Sequence, residues 1–270
     1  VKVYLEYVDS KFNIIKNVNE IDTNGYDGTV YDLFISLDTA SLDRLGFNTA
    51  FFTNAKRTVC IDHHASNNGY ADYNYIVAEA SSASEVLFNV LEEDKFDKSI
   101  AEPMYMGIAH DSGVFRFQST SAQTMRTAAK MIEFGVEPNV ILEETFYRKT
   151  YDQMMVTAKI QRETVLCMEG KCIYGFCTSE TMKKYNVTVN DLDAVVSSIR
   201  NVEGVELAMF AYQLEDNKYK FSLRSKKYVD VSKIAVGFGG GGHVRAAGFE
   251  LEGSLNEVIE KVLAVIKNVL

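Results

Sequence analysis

Asp62, His63 and His64 stand in succession directly after the compact apolar run at 57–61. In an open α/β sheet, ligand groups collect at the carboxyl ends of the strands. Asp38 closes a second such run, 31–37, in the same way, so the two ends could converge. A third carboxylate, Asp111, lies in Met-Gly-Ile-Ala-His-Asp-Ser-Gly-Val-Phe at 106–115, where flanking glycines would let the backbone turn tightly around a ligand. Carboxylates with imidazoles form a mixed oxygen and nitrogen set, which suits manganese, cobalt, iron or sometimes magnesium better than a thiolate zinc site. Two such ions, about 3.5–4 Å apart, activate water and clamp phosphoryl oxygens in an in-line displacement. The competing reading of one Asp at a strand end is a turn or cap residue. Two adjacent histidines say more, because side chains on a continuing strand alternate faces and both cannot point into the core. His110 reads as structural, or as support for Asp111.

A second constellation is Gly-Phe-Gly-Gly-Gly-Gly-His-Val-Arg-Ala-Ala-Gly at 237–248. Four successive glycines pack poorly, but they suit a loop whose backbone N–H groups approach an anion, with His243 beside them. A flexible linker is the alternative. Arg224 and Ser225 end an expected strand and are able to donate to phosphate oxygens. Arg116, between Phe115 and Phe117, is either a phosphate partner flanked by base-stacking aromatics or the outward residue of an ordinary strand.

The elements that must carry these residues change character along the chain. Residues 1–150 read as strands alternating with helices, an open α/β parallel sheet. Strands are expected at 1–10, from its alternation, and at the runs ending in Asp38 and Asp62. Helices are expected at 82–91, 121–134 (capped by Gly135) and 139–146. Residues 151–163 look like a connecting helix. Beyond it, 164–270 reads as a smaller α+β domain. It has hairpins over 164–178 and 205–225, turning at Glu169-Gly170 and Asp216-Asn217, and helices over 190–202, 231–238 and 255–270.

With 270 residues, 47% of them hydrophobic, the chain can build two cores. A net charge of −9 argues against a broad nucleic-acid coat, but bound cations can reverse the field of an acidic cleft. Cys60, Cys167, Cys172 and Cys177 lie in strand-like apolar runs without a Cys-x-x-Cys pair, and read as buried, reduced thiols. No apolar run approaches the roughly 20 residues of a membrane helix and no signal peptide is evident, which makes a cytoplasmic protein the default. A homo-oligomer is compatible with the sequence.

Asp-His-His after one strand, an Asp ending an earlier one, His-Asp-Ser-Gly-Val-Phe-Arg-Phe and a distal Gly-Gly-Gly-Gly-His together resemble the DHH phosphoesterases, in the nanoRNase and pAp phosphatase branch of the NrnA type. The resemblance spans nearly the whole chain. It implies a catalytic α/β domain followed by a substrate-binding domain, and two manganese ions, with magnesium or cobalt as substitutes. It makes Asp38 the bridging carboxylate, His63 and Asp111 ligands of one ion, Asp62 the partner that orients an imidazole, and His64 a residue facing the substrate phosphate. Arg224, Ser225, Gly240, Gly241, Gly242 and His243 then resemble the clamp on the nucleotide's terminal phosphate. The implied substrates are short oligoribonucleotides and 3′-phosphoadenosine 5′-phosphate (pAp). A cyclic di-AMP or linear dinucleotide phosphodiesterase is the near alternative. The family also carries a His-x-x-x-Asp-x-Asp stretch on its first strand, and nothing like it precedes Asp38 here. The sequence therefore reads as a fragment or a degenerate member with an incomplete metal set, and a non-catalytic nucleotide-binding module is the remaining alternative.

Overall fold

The computed structural model describes residues 1–192 and 194–270 in full, and residue 193 by its backbone alone. The chain divides into two compact units, Val1–Arg148 and Lys149–Leu270.

The first unit is an α/β layer around a parallel three-stranded sheet of order β1-β2-β3, with β1 Phe34–Leu37, β2 Thr58–Asp62 and β3 Tyr73–Ile76. Leu37 stands opposite Ile61, so the carboxyl ends of β1 and β2 are level and Asp38 and Asp62 emerge side by side. Helix α1 Thr49–Asn54 links β1 to β2 and buries Phe51 and Phe52. Helices α2 Ala83–Phe88, α3 Lys98–Asp111, α4 Ala122–Glu133 and α5 Pro138–Leu142 follow. Their apolar faces meet around Met104, Tyr105, Ala109 and Met131. Ser121 and Thr124 close a capping box at the start of α4, satisfying amides the helix itself cannot pair.

Three expectations change here. Residues 1–10 form no strand: they make a single bridge, Tyr4 to Asp22. Asp111 is the last residue of α3, a helix the sequence reading did not contain, and not a loop residue between glycines. The segment after it is no strand either. Gly113, Val114 and Phe115 take positive φ values of 58°, 57° and 60°, a left-handed turn that Ser112 holds with its hydroxyl on the Phe115 amide at 3.0 Å. Left-handed backbone is costly for a β-branched residue such as Val114.

The second unit is a mixed six-stranded sheet of order β4-β5-β6-β7-β9-β8. Its elements are α6 Tyr151–Arg162, β4 Val165–Cys167, β5 Cys172–Cys177, α7 Ser179–Lys184, α8 Asp193–Arg200, β6 Leu207–Glu215, β7 Lys218–Ser225, α9 Val231–Gly237, β8 Gly241–His243, β9 Ala246–Glu252 and α10 Leu255–Lys267. Alternation along the strands feeds two cores. Leu207, Met209, Phe221, Leu223 and Phe249 pack under α9 and α10, while Ala208 and Phe210 pack on the other face under α7 and α8. Helix α6, expected as a connector, buries Val156 and Ile160 in this second core. The glycine run is not an open loop: Gly241–His243 is an edge strand paired antiparallel to β9.

Candidate functional site

The ends of β1 and β2 and the end of α3 bring Asp38, His63, His64 and Asp111 together. His63 Nε2 lies 3.3 Å from an Asp38 carboxylate oxygen and 3.7 Å from one of Asp111. Asp38 leaves β1 with φ of 56°, a left-handed step that turns its carboxyl off the strand line, while its amide still donates to the Ile61 carbonyl at 3.1 Å. Because β2 ends at Asp62, strand alternation stops before the histidines and both come to the same site, each largely buried.

Asp62 is fully buried. It accepts from His64 Nδ1 at 2.8 Å and from Asn67 Nδ2 at 2.7 Å. Burial opposes its ionisation, but these hydrogen bonds outweigh it and hold the carboxyl below the usual range. The carboxylate therefore keeps the His64 proton on Nδ1, so that Nε2 carries the lone pair. His63 is fixed likewise, its Nδ1 lying 3.1 Å from the Ala80 carbonyl. That carbonyl is an acceptor only, so a neutral His63 meets Asp38 and Asp111 with an Nε2 lone pair.

Two carboxylates and a lone pair in contact require a cation between them. Without an ion, a proton serves. Burial works against a charged His63, but the hydrogen bond to Asp38 and the nearby Asp111 charge push its pKa up to about 9. Burial, then the like charge of Asp38, raises Asp111 to about 6. Donor atoms of Asp38, His63 and His64 lie within 4.8 Å of one another, a fit for a divalent cation. Asp111 lies outside that tightest group, and joins it through His63. Asp38 and Asp111 also line a cavity of about 400 Å³ whose other walls include Leu5, Phe12, Leu37 and Met106, an apolar surround that strengthens charge interactions inside it.

His110 packs its ring 4.2 Å from that of Phe146 and 5.6 Å from that of Phe12, and burial lowers its pKa to about 4. Arg116 lies in the left-handed turn's exit, its amide donating to the Ser112 carbonyl at 2.9 Å. The sequence reading missed Asn67 and Ala80. Asn67 ties Asp62 to the Thr39 carbonyl at 3.1 Å, and a polar residue five beyond the Asp was its only signal. Ala80 acts through its backbone and leaves none.

In the second unit, register places Arg224 opposite Ala246, and Ala246 opposite His243. All three are on one face of the sheet, because side chains two residues apart share a face and paired residues do too. The next row of that face is Ser222, Gly248 and Gly241. Small residues between Arg224 and His243 leave a shallow shelf with a cationic side. A side chain at Gly240 or Gly242 would strike the β9 backbone, with Cβ 2.2 Å from the Gly248 oxygen and 2.5 Å from the Ala246 oxygen respectively, whereas Gly241 faces open space. Ser225 is not brought to this shelf. It is buried on the opposite face and its hydroxyl donates to the Val229 carbonyl at 2.7 Å.

The four cysteines carry free thiols; Cys60, Cys172 and Cys177 are buried and Cys167 is half-buried. Among the described residues, no helix is long and apolar enough to cross a membrane.

A solved exopolyphosphatase-related protein from Bacteroides fragilis shares this fold. Its TM-score is 0.90 at 20% identity, over 99% of this chain and 84% of that one. The DHH family N-terminal domain matches residues 2–108 and the DHHA1 domain matches 169–270. The bifunctional oligoribonuclease and PAP phosphatase NrnA of Bacillus subtilis is 25% identical over 89% of this chain and 75% of its own length. An uncharacterised Mycoplasma pneumoniae protein, the MG371 homologue, is 30% identical over 88% of this chain and 73% of its own length. The chain belongs to the DHH family of phosphoesterases, metal-dependent hydrolases, with the DHH-plus-DHHA1 organisation of the NrnA type.

Proposed function

We propose that this chain is a manganese-dependent phosphoesterase that hydrolyses short oligoribonucleotides and pAp. The observation that carries the reading is His63 Nε2, held by the Ala80 carbonyl so that its lone pair meets both Asp38 and Asp111. Bound there, a divalent ion supplies a Lewis acid and a water of lowered pKa. In the two-ion form of the reading, Asp38 would serve both ions, and His63, His64 and Asp111 would complete the donors this chain offers.

The chain's own residues do the rest. Asp62 holds the His64 ring and fixes its tautomer through Nδ1. Apolar walls flank the carboxylates on the cavity side, while Asp38 stays open to solvent and to an incoming phosphate. Arg224 and His243 hold a phosphate over the Ala246 and Gly248 floor, and the uncharged floor admits a sugar edge without steric conflict. A net charge of −9 favours small ligands over long nucleic acid. Among curated relatives, the names of the Bacillus subtilis and Thermus thermophilus proteins pair oligoribonuclease with PAP phosphatase activity, which supports this substrate pair.

The test is hydrolysis by the purified chain, with manganese against chelator, of pAp, a diribonucleotide and cyclic di-AMP. Release of AMP from pAp and of mononucleotides from the linear dimer is expected. Cleavage of cyclic di-AMP alone would replace the substrate assignment, and nucleotide binding without cleavage of any of the three would make the chain a binding module.

A further inference from the structure

The shelf between Arg224 and His243 continues in the rows beyond it. After Ser222, Gly248 and Gly241 comes Lys220 opposite Glu250, and after that Lys218 opposite Glu252. Arg224, Ser222, Lys220 and Lys218 thus follow one another on one face of β7, a donor at each step of about 6.8 Å. An extended phosphate chain leaving Arg224 would meet this line of donors. Glu250 breaks it. One of its carboxylate oxygens lies 3.4 Å from Lys220 Nζ and the other 3.1 Å from Lys218 Nζ. Lys218 first, then Lys220, hold the Glu250 carboxyl ionised below its usual range. The pairs are exposed, so they contribute little to folding. What they set is the field along the shelf: cationic at Arg224, uncharged across Ser222 and Gly248, and balanced by carboxylates beyond.

We propose that Glu250 limits the length of nucleotide chain the shelf accepts, admitting about two nucleotides from Arg224 and turning away a longer backbone by charge. The inference rests on the reading of this unit as the nucleotide holder. It makes Glu250 a specificity residue that acts without touching the bond being cleaved.

The experiment measures binding of fluorescein-labelled oligoadenylates, a dimer and a hexamer, to the full chain by fluorescence anisotropy in chelator, where no hydrolysis intervenes. Glu250→Gln is expected to tighten the hexamer about fivefold while the dimer changes less than twofold, and to steepen the hexamer's salt dependence by about 0.7 for each phosphate newly held. Adding Lys220→Gln to Glu250→Gln should cancel the gain, whereas adding Lys267→Gln on α10, which restores the same net charge on the other face of the sheet, should not. A hexamer affinity unmoved by Glu250→Gln, or equal tightening of both lengths, overturns the role of Glu250 while leaving the nucleotide-holding reading in place. Failure of every form of the chain to bind either length overturns both.

Discussion

The Ala80 carbonyl oxygen lies 3.1 Å from His63 Nδ1, and that contact decides which nitrogen of the ring faces Asp38 and Asp111. It is a backbone group, so no substitution at Ala80 removes it directly. Its effect is to make the site a cation trap: a proton or an ion must stand at Nε2 for the two carboxylates to remain close.

Asp62 performs the same service for His64, so Asp62→Asn is the informative change. The amide keeps the shape, but it can present its NH₂ to His64 Nδ1 and upset the tautomer. Loss of such an orienting partner typically costs about 10–100-fold in metal affinity. Manganese titration of Asp62→Asn by calorimetry should show a loss of that size with the fold intact by circular dichroism. Unchanged affinity would mean that His64 needs no orientation.

The ion-free chain should lose stability as pH rises. His63 has a folded pKa of about 9 against 6.5 unfolded, so its contribution is fully present below about 6.5 and lost as pH rises through about 9. Asp111 is raised to about 6 from 3.8, and for a carboxyl raised by burial the contribution is likewise present below about 3.8 and lost as pH rises through about 6. Thermal melts in chelator should therefore fall between pH 5 and 9 by these terms, and Asp111→Asn should flatten the part below pH 7. Saturating manganese should reverse the trend, because metal binding competes with these protons. A wild-type trend identical to that of Asp111→Asn would contradict the assignment.

Gly242 and Gly241 should respond oppositely to alanine. Gly242 has φ of 144° and no room for a Cβ against β9, whereas Gly241 has no neighbour within 4 Å of an added Cβ. Gly242→Ala should cost about 2 kcal/mol or more, read as a lowered melting temperature. Gly241→Ala should melt within about 0.5 kcal/mol of wild type, yet bind pAp more weakly because its methyl stands on the shelf floor.

Glu206 is buried and accepts from the backbone amides of Lys227, Tyr228 and Val229 at 3.0, 2.8 and 3.0 Å. Burial opposes its charge, but these three donors hold its pKa below the usual range. Glu206→Ala should cost about 3 kcal/mol through the orphaned amides. Its contribution is present above the unfolded carboxylate range and disappears as pH falls through the lower folded value, so the difference from wild type should shrink in acid denaturation.

How much of this was legible follows from where each signal lived. Asp38 and Asp62 were visible because parallel buried strands show as apolar runs with polar ends. The hairpins over β4–β5 and β6–β7 were visible from their turn residues, Glu169-Gly170 and Asp216-Asn217. Helix α3 was hidden because Gly107 and Gly113, flanking Asp111, read as glycines of a tight turn. Gly107 instead lets α2 approach, for a Cβ there would lie 2.2 Å from Ser84 Oγ. The glycines at 240 and 242 read as ligand contacts in the sequence; the close crossing with β9, where a Cβ at either would strike backbone, carries no local sequence signal. Ser225 was placed beside Arg224 by adjacency, but strand alternation puts neighbours on opposite faces. The shelf itself appears only once register sets Arg224, Ala246 and His243 in one row, information that no local pattern carries.

The central claim is that Asp38, His63, His64 and Asp111 hold a catalytic divalent ion. Manganese binding to the purified full chain, followed by calorimetry and by electron paramagnetic resonance, tests it most directly. Saturable binding that Asp38→Asn abolishes, with the melting temperature of the ion-free protein retained, is the predicted result. Binding that Asp38→Asn leaves unchanged, or no binding at millimolar manganese, would contradict it.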